Sequence, residues 1–206
     1  MEHGEKFNTY SHLAGALLAL AGGVLLIVLG ALSGDVWKIV SFSIYGATLV
    51  LLYSFSTLYH NAVQGRLKAF LQKLDHNAIY LLIAGSYTPF TLVSLHGPWG
   101  WSLFGVVWGL ALLGIFQEIW LKKETRRVSL VIYILMGWVA VVAVVPLVSA
   151  LSWSGFAWLA AGGLAYTIGI IFFAYDDRFS HWHGIWHLFV LAGSTLHYCT
   201  ILLYVA

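Results

Sequence analysis

His183 and His187 stand four residues apart at the start of the last apolar stretch of this chain. On a helix that spacing puts both on one face, about a turn apart, so two imidazoles can grip one ion. A third imidazole, His60, ends an earlier apolar stretch, with Ser56 one turn before it. Three histidines leave one of four metal positions open to water, the arrangement of a catalytic rather than a structural zinc. Zinc is the first choice of ion, although neutral imidazole also suits copper, iron or nickel. Asp75 could orient the water or accept its proton, and Ser56 could hydrogen-bond within the site.

Each residue also has a plainer reading. A histidine near a helix end is often only an interfacial side chain. Asp75 suits the positive N-terminal end of a helix that starts there, and Ser56 suits packing. Glu118 and Lys122 have the spacing of a helix-surface pair. Tyr80 and Tyr87 read as core residues with satisfied hydroxyls. His197, roughly 15 Å beyond His187 along a helix, reads as a buried hydrogen-bonding residue, and His3 and His96 as solvated ends.

The elements that must position these groups are membrane helices. Of 206 residues, 61% are hydrophobic and only 9% charged, against about 25% charged in soluble domains. Seven stretches reach the roughly 20 apolar residues a crossing needs: about 12–32, 39–60, 75–95, 101–121, 128–150, 155–175 and 183–205. The breaks are Ser33-Gly34-Asp35, Asn61–Leu74, His96-Gly97-Pro98, Lys122–Arg127, Ser152–Gly155 and Asp176–Trp182. The expected fold is therefore all-α, a single seven-helix transmembrane bundle over 1–206. With the N-terminus inside, nine of the ten Lys and Arg residues fall on inner segments and only Lys38 outside. The positive-inside rule then places the N-terminus in the cytoplasm and the C-terminus outside. The first apolar run is too long for a signal-peptide core and reads as a retained helix. Gly105-x-x-x-Gly109 and Ala160–Gly163 read as close helix packing. Trp37, Trp99, Trp101, Trp153, Trp182 and Tyr204 read as interfacial anchors. Lone Cys199 excludes an intrachain disulfide, and 10 basic against 8 acidic residues argue against a nucleic-acid partner.

This topology gathers the costly polar groups in one layer. His60 closes the second span on the inner side; Asp75 and His76 open the third; His181, His183 and His187 lie at the start of the seventh. Glu5, Asn8 and His12 come to the same side. Ionisable groups at membrane depth are functional candidates.

Glu5-x-x-Asn8-x-x-x-His12, Ser56-Thr-Leu-Tyr-His60, Asp75-His76, Gly85-Ser-Tyr-Thr-Pro-Phe90 and His183-Gly-Ile-Trp-His187 together resemble the bacterial hemolysin III-related proteins. These belong with the progestin and adipoQ receptor family and, more distantly, with alkaline ceramidases. The resemblance covers essentially the whole chain in order. It implies one zinc ion per chain held by His60, His183 and His187, with Asp75 contacting it through water and Ser56 as a polar neighbour. His12 and His197 fit family-like positions without an assigned role. The animal receptors' long N-terminal cytoplasmic domain has no counterpart here, so hormone signalling through adaptor proteins is not implied.

The expected activity is metal-dependent hydrolysis of a lipid amide or ester, with membrane lipids as partners and Asp75 as general base. The expected location is the bacterial cytoplasmic membrane, with the metal towards the inner side. One alternative is a receptor or sensor in which metal only ties helices together and influences membrane lipid balance. A cytolytic pore is the weaker alternative, because no span shows the regular polar stripe of an aqueous channel.

Overall fold

The computed structural model describes residues 5–120 and 126–206. His3, Lys122 and Lys123 lie outside the described residues, as does the partner in the expected Glu118–Lys122 pair. The described residues form helices and no strand: α1 Glu5–Ser33, α2 Val36–Asn61, α3 Arg66–Pro89, α4 Pro98–Trp120, α5 Arg126–Trp138, α6 Val144–Ala174 and α7 Trp182–Tyr204.

Five runs are long and apolar enough to cross a bilayer: α1, α2, α4, α7 and the continuous stretch Arg126–Ala174. Their outward faces carry Leu17, Leu18, Leu32, Leu112, Leu113 and Val145, all exposed. Apolar surface on that scale belongs against lipid, and the protein is an integral membrane protein. Proline shapes one interruption. A proline lacks the N–H that closes a helical turn and crowds the carbonyl four residues back, and before Pro146 the chain tightens to a 3₁₀ turn over Val139–Ala143. A second interruption is a π turn over Phe90–Ser94, where α3 ends. Within α6, Ser152 breaks the helix at φ 62°, ψ 170°.

Two sequence expectations are corrected. The third helix begins at Arg66 rather than Asp75, so the Asn61–Leu74 break shrinks to a short link ending at Gly65, whose φ is 142°. Arg66, Lys68, Gln72 and Lys73 are good helix formers. They extend the helix beyond its apolar part, and an apolar window misses that extension. Asp75 therefore lies in the third turn of α3, away from the positive helix end. In addition, a Cβ on Gly105 or Gly109 would meet nothing within 4 Å, so this pair seats no described neighbour. In Ala160–Gly163 the expected close packing is present at Gly162, where a Cβ would strike the His197 ring at 2.2 Å, and absent at Gly163. The close approaches are elsewhere. A Cβ on Gly23 would reach the Gly46 Cα at 3.3 Å, where α1 crosses α2, and one on Gly85 would strike Thr48 Oγ1 at 2.1 Å, where α3 meets α2.

The main core centres on α2, through Phe42, Tyr45, Leu49 and Leu52. These belong to one cluster with Leu26 of α1, Ala78 and Leu82 of α3 and Ile201 of α7. A second cluster, Tyr80, Val107, Ala111, Tyr133 and Met136, joins α3, α4 and α5. Packing α1, α3 and α7 around α2 brings the polar ends of these four helices together.

Candidate metal centre

His60 lies in the last turn of α2, and His183 and His187 in the first two turns of α7. One ring nitrogen from each falls within 4.8 Å of the others. His60 and His187 are buried and His183 half-buried. The outer ring nitrogens explain which edge faces inward. His60 Nδ1 contacts Glu5 Oε2, and His183 Nδ1 lies 2.6 Å from Asp176 Oδ2. An ionised carboxylate only accepts, so each Nδ1 carries the hydrogen. His187 Nδ1 lies 3.4 Å from Ser11 Oγ, and Ser11 donates its own proton to the Asn8 carbonyl at 3.0 Å. That ring too donates outward. The three Nε2 atoms are left as acceptors.

The His60 and His183 Nε2 atoms face each other at 3.3 Å. Two bare lone pairs at that distance repel unless a cation lies between them. Two nitrogens bound at about 2.0–2.1 Å in a tetrahedral array stand about 3.3 Å apart. That pair therefore fits two ligands of one metal ion, with a nitrogen of the third ring within 4.8 Å of both, and a carboxylate behind a ligating imidazole is the usual support for such a ligand.

Asp75 is half-buried on α3, receives a hydrogen bond from Ser56 and lies within electrostatic reach of His60 and His183. Asp75, Ser56, His183 and His187 all line one cavity of about 1620 Å³. His12 stacks on His187, with centroids 3.6 Å apart and planes at 15°, and meets Tyr53 edge-on. It thus clamps the His187 ring from the face. His76 lies apart from the trio, 3.1 Å from Glu118 Oε1, and Glu118 also accepts from Ser129 at 3.0 Å. His181 caps α7 at φ 70° and is exposed. Tyr87 donates to the Gly137 carbonyl at 2.8 Å and Tyr80 to Gln117 at 3.4 Å, as core tyrosines do. His197 Nε2 holds the Leu159 carbonyl at 3.2 Å, the buried role expected of it.

Asp176 and Ser11 were not foreseen from sequence. Asp176 lies in the link before α7, where no periodicity points to a partner. Burial raises its carboxyl pKa, but the bonds from His183 and Arg126 outweigh that and hold it below the ordinary value. A depressed carboxyl stabilises the fold above its unfolded pKa and loses that contribution as pH falls through the folded one.

The chain matches the family described as "Haemolysin-III related" over residues 1–198. It is 42% identical over 201 residues to "Hemolysin-3" of Bacillus cereus, covering 98% of this chain and 91% of that protein. It is 43% identical over 200 residues to "Hemolysin-3 homolog" of Bacillus subtilis (strain 168), covering 97% and 93%. The human "Monocyte to macrophage differentiation factor" is 30% identical over 201 residues, covering 94% of this chain and 81% of that one. Membrane helices, the motifs of α1, α2, α3 and α7, and these similarities over nearly the full length agree: the chain belongs to the haemolysin III-related family, within the wider progestin and adipoQ receptor group.

Proposed function

We propose that this protein is a zinc-dependent membrane hydrolase acting on a lipid amide or ester, with one ion held by His60, His183 and His187. The observation that carries this reading is the trio of inward Nε2 acceptors beside a carboxylate in a cavity large enough for a lipid chain. Bound zinc supplies a Lewis acid and brings the pKa of its water towards about 7. Asp75, oriented by Ser56, would take the proton that the attacking water loses and pass it to the departing amine nitrogen or alkoxide oxygen as the acyl bond breaks, which frees the carboxylate for the next turnover. Ile79, Ile83, Ile170 and Val190 on the cavity wall would accept an acyl chain.

The topology belongs to the same proposal. A straight helix over Arg126–Ala174, 49 residues, would be about 74 Å long, more than twice the roughly 30 Å hydrocarbon layer. Its break at Ser152 supports two crossings there, and α3 with its π turn supplies another, for seven in all. The basic residues then put the metal centre towards the cytoplasm.

A receptor or sensor is the second reading. It draws on the 27% identity over 224 residues to the "Adiponectin receptor protein" of Drosophila melanogaster, a match covering 95% of this chain and 49% of that protein, and on the way the trio joins α2 to α7. A cytolytic pore has only the relatives' name in its favour. Metal analysis of the purified chain, followed by a lipid panel, separates these. Turnover that requires both metal and Asp75 supports the hydrolase. A metal-loaded protein that hydrolyses no lipid in a broad panel, yet loses thermal stability when stripped, favours the receptor.

A further inference from the structure

Both carboxylates behind the histidines divide their oxygens in the same way. Glu5 directs Oε2 to His60 Nδ1 and Oε1 to Lys68 Nζ, 3.4 Å away. Asp176 directs Oδ2 to His183 Nδ1 at 2.6 Å and Oδ1 to the Arg126 guanidinium. Each cation comes from a helix that supplies no metal ligand, Lys68 from α3 and Arg126 from α5. Lys68 is only 7% exposed, and lysines are almost never so buried unless paired. Its ammonium also sits 5.4 Å from the Tyr59 ring centroid, beside His60 in the sequence. Arg126 is fixed further by Asp177 at 3.0 Å, by the Phe173 carbonyl, and by the Phe173 ring 4.4 Å below it.

We propose that Lys68 and Arg126 are positioning residues for the metal centre, acting through Glu5 and Asp176. The terminal torsion of a carboxylate is broad, so one held at a single oxygen can turn away from its histidine. Held at both oxygens between two helices, it keeps one lone pair on Nδ1, and the ring keeps Nε2 inward. Lys68–Glu5–His60 and Arg126–Asp176–His183 are thus two parallel braces that make the site's geometry depend on α3 and α5. This inference rests on the metal reading above.

The test measures zinc affinity by chelator competition and the visible spectrum of the cobalt(II)-loaded full-length protein. Removing a partner behind a metal ligand typically costs 10–100-fold in affinity. Lys68→Gln and Arg126→Gln should each weaken zinc binding by about that much and shift the cobalt bands, and Lys68→Arg should restore most of the loss. Adding Lys68→Gln to Glu5→Gln should cost no more than about twofold beyond Glu5→Gln alone, since both act on one chain of contacts. Wild-type affinity and spectra in both glutamine variants would overturn the inference while leaving the metal site standing. So would a Lys68 effect that adds in full to that of Glu5→Gln. A wild type that cannot be loaded overturns the metal reading and this inference together. If Lys68→Gln does not fold, Arg126→Gln decides.

Discussion

At His60, His183 and His187 the protein holds one ring nitrogen and leaves the other bare, so removing a ring differs from removing what stands beside it. Alanine at any of the three takes away an Nε2 ligand. Elemental analysis should read about one zinc per wild-type chain and close to none in His60→Ala, His183→Ala or His187→Ala. Asp75→Asn removes a proton acceptor and leaves the trio intact, so it should retain most of the zinc. Once a lipid substrate is found, the same variant should lose about 10²–10⁴-fold in kcat, the usual scale of general-base catalysis. Loss of zinc in Asp75→Asn would make it a structural part of the centre instead. The trio was legible in the sequence because His183 and His187 share a helix face and the order of apolar runs returns His60 to the same end. The Asp176 brace was not, because its bond depends on how a link folds back. The His12 stack on His187 was also hidden, since ring-on-ring contact between helices leaves no spacing to read.

Among the elements, α3 shows how far an apolar pattern reaches. Its lipid-depth part was plain from sequence, but its start was not, because Arg66 to Lys73 satisfy helical propensity while failing any hydrophobicity test. Those roughly two unseen turns carry Lys68. The α2–α3 contact is equally tight at the other end of the helix, where Gly85 leaves room for Thr48. Gly85→Val should destabilise the protein by about 1–3 kcal/mol, the usual cost of overpacking, and Thr48→Ala should recover part of it. Thermal unfolding in detergent reads both. In α6, Ser152 holds a backbone conformation found essentially only in glycine, which costs roughly 1–3 kcal/mol. Ser152→Gly should therefore raise the melting temperature modestly, part of the gain being offset by the freer unfolded chain. A lower melting temperature would mean that the Ser152–Ser154 hydroxyl contact at 2.9 Å matters more than the strain.

For the whole molecule, helix content and membrane character were legible from composition, and the helix breaks at Ser152, the first residue of the expected Ser152–Gly155 turn. The 3₁₀ turn before Pro146 was not legible, because it lies inside an apolar run with no charge to announce it. If nine of the ten basic residues set the orientation, a reporter fused to Met1 should stay protected in spheroplasts and one fused to Ala206 should be accessible to protease. The reverse pattern would move the metal centre to the outer side. The pairing of His60 with His183 also has a consequence in time. The two residues are 123 positions apart, a gap of about 6–25 s at ordinary rates of synthesis. By then the α1–α2 hairpin, locked at Gly23 and Gly46, and the Lys68–Glu5–His60 brace can already stand in the bilayer as half a socket. The ion can be captured only after the last helix has been threaded, so metal uptake belongs to the end of biogenesis, and a nascent chain stalled before α7 would be built but blind to zinc.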